Sequence, residues 1–332
     1  MPMRRIAAAA VAALVTASGQ AMPTGAAGRL ADVPMTHIGI VVSDLERAAR
    51  AYAGVLGVTV PPVRAVKAVR DPAGSRGDRR AYPRTATIGL NGVAIELLEP
   101  QGGASPWRDQ LEAKGPGLHH IAFGVADRAG HLRHLQEAGG VVRVGGEAGG
   151  AMTDVDFGSQ LGFTIELEEK GAVPPSTVPL GASFASNAVV HISAMVPDVE
   201  KSGRLLARVL GVELPPTVVV KMGSLVYPES YRGDRQAAPK HVTFRLPNIL
   251  LELTEPQGGS SPWRDHLEQH GPSLHHMAFR VSSMADSIRH LEQHGGRLVL
   301  GGPGVSYAYV DLRPNPLGMT FELNGPAPPR AP

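Results

Sequence analysis

The chain has no cysteine in its 332 residues. That removes disulfides, thiol nucleophiles and thiolate metal ligands together. A dominant charge is missing too: 32 Lys and Arg stand against 30 Asp and Glu, interspersed along the sequence, for a net charge of +2. Without a long basic run carrying aromatics between its members, a nucleic-acid partner is not expected. Beyond the N-terminus no apolar run reaches 18 residues, so no membrane span is expected. What remains is ordinary globular material: 43% hydrophobic residues over a length that suits two domains of about 150 residues, each able to bury a core.

The first residues read differently from the rest. Met1-Pro2-Met3-Arg4-Arg5 is a short basic segment, Ile6 to Val15 is Ala-rich and apolar, and small residues follow around Val15-Thr16-Ala17 and Gly19-Gln20-Ala21. This layout predicts a signal peptide over residues 1–27 and an exported protein, periplasmic or secreted.

The body repeats itself. Gly117-Leu118-His119-His120-Ile121-Ala122-Phe123 returns 156 residues later as Ser273-Leu274-His275-His276-Met277-Ala278-Phe279. Glu99-Pro100-Gln101-Gly102-Gly103-Ala104-Ser105-Pro106-Trp107-Arg108-Asp109 returns as Glu255 to Asp265 at the same spacing. A duplication lets one half serve as a control for the other. Within the first half, Thr36–Val42 reads as a strand and Ser43 or Asp44 caps a helix that Gly57 stops. Val58–Arg70 reads as an edge strand and Asp71–Arg84 as a loop, and Thr85–Leu90 and Val93–Leu98 form a hairpin across Asn91-Gly92. The pattern restarts at once with a strand over Leu118–Val125, a helix over Asp127–Ala138, and strands over Val141–Val144, Met152–Phe157 and Phe163–Glu168. The predicted organisation is a first domain over 34–170, a linker over 171–186, a second domain over 187–325 and a Pro-rich tail over 326–332. Two extra residues enter between Val212 and Arg232.

Four metal-competent side chains recur at matching places: His37, Glu96, His120 and Glu166, then His191, Glu252, His276 and Glu322. Each lies inside an otherwise apolar strand, where a carboxylate is costly unless it is paired, hydrogen-bonded or metal-bound. Two imidazoles and two carboxylates suit Ni²⁺, Co²⁺, Zn²⁺, Mn²⁺ or Fe²⁺ and not soft Cu(I). The tandem His119-His120 and His275-His276 leaves a choice open, because successive strand residues face opposite ways and one of each pair points inward. His131, His134, His290 and His294 are expected on solvated helix faces, and Trp107 and Trp263 as anchors under a loop. Arg76-Gly77-Asp78-Arg79 recurs as Arg232-Gly233-Asp234-Arg235, and its arginines, Arg76, Arg79, Arg232 and Arg235, are candidates to hold a substrate carboxylate or phosphate. Gly124 against Arg280, and Asp154 against Tyr307 or a residue near it, mark places where the two pockets differ.

The modules resemble the vicinal-oxygen-chelate superfamily. That resemblance covers nearly all of 34–170 and 187–325 and implies an α+β fold in which four βαβββ modules pair into two cup-shaped mixed sheets, each around a divalent metal. The stretch from Glu99-Pro100 to Phe123 is similar to methylmalonyl-CoA epimerases. It implies the second histidine of each tandem, His120 and His276, as the ligand, and Glu96 and Glu252 where those epimerases commonly carry Gln. The resulting His/Glu/His/Glu set resembles bacterial glyoxalase I. Two departures stand out: an exported protein does not meet acyl-CoA, and Arg70–Arg84 holds no Glu where such epimerases place a further base. The resemblance implies a metal-dependent isomerase, epimerase or lyase acting on a small carbonyl substrate with adjacent oxygens, as a monomer or homodimer. Glu166 and Glu322 are the implied proton-abstracting bases. The alternatives are an Fe(II) extradiol-type dioxygenase, which uses three ligands and open positions, and a small-molecule binding or resistance protein, whose relatives typically lack the metal ligands.

Overall fold

A computed structural model describes residues 29–65, 81–145, 152–169, 189–220, 225–313 and 316–326. The leader over 1–27, Arg76 and Arg79, the linker over 171–186 and the tail beyond Pro326 lie outside the described residues. In the first half the chain runs β1 (Met35–Val41), α1 (Leu45–Leu56), β2 (Arg64–Ala65), β3 (Tyr82–Gly89) and β4 (Ala94–Gln101). A connecting helix α2 (Pro106–Lys114) leads to β5 (Gly117–Val125), α3 (Arg128–Glu137), β6 (Val141–Val144), β7 (Met152–Asp156), α4 (Gly158–Leu161) and β8 (Thr164–Glu169). The second half repeats this with β9 (Val189–Met195), α5 (Val199–Leu210), β10 (Val218–Val219), β11 (Ala238–Arg245), β12 (Leu250–Gln257) and α6 (Pro262–His270). It closes with β13 (Ser273–Arg280), α7 (Met284–Gln293), β14 (Arg297–Gly301), β15 (Tyr307–Asp311) and β16 (Thr320–Asn324).

Each half forms one curled eight-stranded mixed sheet, in the orders β2-β3-β4-β1-β5-β8-β7-β6 and β10-β11-β12-β9-β13-β16-β15-β14. The two modules meet where β1 runs antiparallel to β5, and where β9 runs antiparallel to β13. The first strand of each module is parallel to its last, as β1 to β4 and β5 to β8. This is the expected α+β class of paired βαβββ modules.

The local reasons are visible in the chain. Asp44 accepts from the Arg47 N–H and starts α1, whose Leu45, Ala48, Ala49, Tyr52 and Leu56 are buried at helical spacing. Gly57 ends it at φ 68°, a left-handed conformation that favours glycine. Ser105 and Ser261 cap α2 and α6, each with proline at the first helical position. These two helices stand outside the strand-helix-three-strand pattern and bury Trp107 and Trp263 against the sheets. The strand expected over Val58–Arg70 reduces, among the described residues, to Arg64–Ala65, because Pro61-Pro62 offers no N–H for a ladder. The loop expected over Asp71–Arg84 ends early, since β3 already begins at Tyr82; Arg84 there is drawn into ion pairs with Glu46 of α1 and Glu99 of β4. Lys240 repeats that tie with Glu200 and Glu255.

Helices from both halves share one continuous core, in which Leu45, Tyr52, Leu206, Leu210, Ile288 and Leu317 are members. The histidines expected on solvated helix faces border this core instead, His131 buried and the other three half-buried. His134 Nε2 donates to the carbonyls of Arg208 and Val209 at 2.9 and 3.2 Å, at the end of α5. His290 Nε2 donates to the Val55 carbonyl at 2.8 Å, at the end of α1. The last carbonyls of a helix lack the usual intrahelical donors, and although Arg208 also accepts from the capping Gly211 N–H, each half adds a donor at a helix end of the other. His131 is buried with Nδ1 on the Asp127 carbonyl, and the His294 ring lies against Gly54. Tyr52 adds a hydroxyl bond to the Leu317 carbonyl at 2.5 Å. Among the described residues no helix is long and apolar enough to cross a membrane.

Candidate functional site

The four side chains of each set come from the four central strands of one sheet and point into the same concave face. Strand alternation buries Ile38 and Ile40 under the helices and turns His37 and Gly39 the other way. Gly39 is the register partner of both Glu96 and His120, and Ala122 of both His37 and Glu166. A large polar side chain therefore always lies beside a small residue. In the second half Ser193 and Ala278 take those two places.

In the first cup, His37 Nε2 lies 3.2 Å from His120 Nε2, 3.5 Å from Glu96 Oε2 and 3.7 Å from Glu166 Oε1. His120 Nε2 is 3.7 Å from Glu166 Oε2. His37, His120 and Glu166 are all buried and offer ligand atoms within 4.8 Å of one another, a spacing one ion can bridge. In the second cup His191 Nε2 is 3.1 Å from His276 Nε2, and both approach the same Glu322 oxygen, at 3.0 and 2.9 Å. Glu252 Oε1 is 3.9 Å from His191 Nε2, and His191, Glu252 and His276 form the second group within 4.8 Å.

The tandem histidines divide their work. His120 faces the cup, while the His119 ring, nearly perpendicular to it, brings Nδ1 to 3.0 Å from His120 Nδ1. His275 does the same for His276 at 2.9 Å. An Nδ1–H on the inward imidazole, donated to its neighbour, leaves the Nε2 lone pair directed at the cup, the arrangement a metal-binding histidine needs.

Electrostatics separate the halves. In the first cup burial holds the His37 imidazole down to about 4 and keeps His120 neutral. Burial, with the nearby Glu168 and Asp154 charges, raises Glu96 to about 8, and Glu166 is raised well above its ordinary range by burial, Asp154 and Glu96. In the second cup burial opposes charging, yet Glu252 and Glu322 overcome it and raise His191 to about 9. Glu322 is pulled well below its usual range by the two histidines against the cost of burial. A carboxylate-rich pocket with neutral imidazoles lacks a positive charge. Glu166 Oε2 is buried with no hydrogen-bond donor among the described residues. Both donor sets, two imidazole nitrogens with two carboxylates, fit a divalent cation.

Several residues of these cups escaped the sequence reading. Glu168 shares the face of Glu166 two positions on and places Oε1 3.8 Å from His37 Nδ1; the two-residue strand period was the available signal. His241 Nδ1 lies 3.2 Å from Glu252 Oε1 and 2.9 Å from Thr254 Oγ1, contacts set by the β11–β12 register. Opposite Asp154 in the duplication stands Tyr309, not Tyr307: Asp154 pairs across from Glu166, Tyr309 across from Glu322. Arg232 and Arg235 are exposed, and no hydrogen bond or ion pair among the described residues joins either to the cluster. Between them Asp234 accepts from the Gln236 and Gly259 N–H groups and clamps a turn.

The family described as Glyoxalase/Bleomycin resistance protein/Dioxygenase superfamily matches residues 36–157 and 190–309. An ethylmalonyl-CoA/methylmalonyl-CoA epimerase from Cereibacter sphaeroides is 36% identical over 116 residues, 34% of this chain and 76% of that protein. Among solved structures, a mutant 4-hydroxymandelate synthase from Streptomyces coelicolor aligns at TM-score 0.59 and 16% identity, over 90% of this chain and 94% of that one. A xylose isomerase-like TIM barrel/4-hydroxyphenylpyruvate dioxygenase fusion protein aligns at 0.52 and 14%, over 96% and 52%. Identities this low speak to the fold alone.

Proposed function

The chain belongs to the glyoxalase/bleomycin resistance protein/dioxygenase superfamily, and from that premise we propose that it is a divalent-metal-dependent isomerase, epimerase or lyase. The observation that carries the reading is the convergence, twice, of two imidazole Nε2 atoms and strand carboxylates on the buried concave face of a sheet. His37, Glu96 and His120, with Glu166, would hold the ion in the first half. His191, Glu252 and His276, with Glu322, would hold it in the second. The ion, whether Ni²⁺, Co²⁺, Zn²⁺, Mn²⁺ or Fe²⁺, would supply Lewis acidity toward the adjacent oxygens of a small carbonyl substrate.

The protein's own groups do the rest. Glu166 and Glu322 are the proposed bases, each beside both imidazoles and each able to take a proton from the carbon next to the carbonyl and return it to that carbon or its neighbour. His119 and His275 position the ligand imidazoles through their Nδ1 contacts. Burial of Glu166 and Glu322 beside the imidazoles limits the access of water to the proton's path. The epimerase relative supports this class of reaction. We further propose that the leader read over residues 1–27 exports the chain, so the substrate is a small oxygenated compound other than an acyl-CoA.

A second reading has one observation in its favour. His37, His120 and Glu166 are two histidines and one carboxylate, the composition of non-haem Fe(II) oxygenase centres. Glu96 and Glu252, as fourth ligands, weigh against it. The test is deuterium wash-in. Protein loaded with Ni²⁺ or Co²⁺ should exchange the C–H beside a carbonyl with D₂O in a panel of small 2-hydroxy and 2-methyl carbonyl compounds and not in methylmalonyl-CoA, and Glu166→Gln with Glu322→Gln should stop it. Oxygen uptake with Fe²⁺ and a catechol, with no exchange in the panel, would replace the first reading by the second.

A further inference from the structure

We infer that Asp154 is an additional metal ligand of the first cup, so that the two halves of one chain select different ions. This rests on the metal-centre reading above. Asp154 lies on β7 directly across from Glu166 of β8, and both side chains emerge on the concave face. It is fully buried, and among the described residues no N–H or hydroxyl reaches either of its oxygens, which face only the Glu166 carboxyl. The Glu166 Oε2 atom is equally without a donor. Two buried carboxyls with only each other to lean on can share a proton when the cup is empty, and a cation between them would take that proton's place and neutralise both.

The duplication supplies the control. Where the first half has Asp154 and Glu168, the second has Tyr309 and Asn324, at the same register positions beside Glu322 and β13. The second cup has donors for its carboxylates already: Glu252 meets His241, Thr243 and Thr254, and Glu322 meets both imidazoles. The first cup thus gathers Glu96, Asp154, Glu166 and Glu168 around two imidazoles, and the second only Glu252 and Glu322. An oxygen-rich, highly anionic pocket prefers a hard cation such as Mn²⁺ or Mg²⁺; two nitrogens with two oxygens prefer Zn²⁺, Ni²⁺ or Co²⁺.

The experiment titrates the metal-stripped full chain with Mn²⁺, following free Mn²⁺ by electron paramagnetic resonance, and then with Zn²⁺ by calorimetry. The wild type should show one tight Mn²⁺ site that persists in Glu322→Gln and disappears in Glu166→Gln. Asp154→Asn, and Asp154→Ser as a second variant with circular dichroism to verify folding, should weaken that site at least tenfold while the Zn²⁺ site of the second cup keeps its affinity. Should folded Asp154→Asn and Asp154→Ser proteins bind Mn²⁺ as tightly as wild type while Glu166→Gln does not, Asp154 is no ligand and the metal reading stands without it. A wild type that binds neither ion overturns both.

Discussion

Gly39 offers a sharp test of how the first cup is built. Its backbone carries the fully buried His120 ring directly above it, and a methyl group there would overlap three atoms of that imidazole. The substitution Gly39→Ala introduces no backbone strain, because Gly39 is not among the residues with positive φ. The whole effect must fall on the ring. His120 is packed between His37 and His119 and has no exposed surface, so it cannot swing into solvent to make room. Overpacking of this kind costs about 1–3 kcal/mol, and the loss of Nε2 alignment should appear as a drop of roughly 5- to 150-fold in metal affinity of the first cup. The second half already carries Ser193 at this place, its hydroxyl bonded to Thr254 at 3.0 Å, and His276 still reaches Glu322. Its site is therefore an internal reference within the same molecule. Calorimetric titration of Gly39→Ala should show one weakened site and one unchanged. Two sites with wild-type affinities would refute the idea that ring position over Gly39 sets the geometry.

Other outcomes follow from the same structure. His134→Ala and His290→Ala each remove a donor from helix-end carbonyls, Val209 and Val55, at the junction of the halves and should each lower stability by about 1 kcal/mol in urea titrations; no change in midpoint would deny them a capping role. Asp44→Ala removes the cap of α1 and should cost about 1 kcal/mol by the same measurement. The metal-free chain should lose stability as pH rises from 6.5 to 8. Glu96, raised to about 8, Asp154, raised to about 7, and His191, raised to about 9, bind more protons folded than unfolded in that window, while His37 and His119, each held at about 4 when folded, oppose the trend through their unfolded titration at 6.5 and do so less as pH rises. Adding Zn²⁺ or Mn²⁺ should flatten this slope, and thermal melts across the window would show whether it does.

The site was legible because the chain repeats it. A histidine or glutamate inside one apolar strand says little, but eight of them at matching places in two copies single out the central strands. The choice within His119-His120 was not legible from spacing, since alternation says only that one of the two faces inward. The likeness to a known family named His120, and the structure places it in the cup with His119 behind it. Asp154 was read only as a place where the pockets differ and His241 was missed, because each reaches the cup from the next strand along, and the exact register that sets it beside Glu166 or Thr254 is not written in local pattern. Two of the helix histidines, His134 and His290, were misread because polar sequence neighbours suggested solvent, whereas their partners are carbonyls in the other half, some 75 and 235 residues away.

Those exchanged helix ends bear on how the molecule comes into being. During synthesis the first half leaves the ribosome with the end of α1 bare and its shared apolar face uncovered, and both remain so until α7 has emerged nearly two hundred and forty residues after Val55. For that interval the most complementary surface within reach belongs to a neighbouring nascent copy. A chain interrupted between the halves should accordingly be recovered as swapped pairs or aggregates rather than as independent monomers.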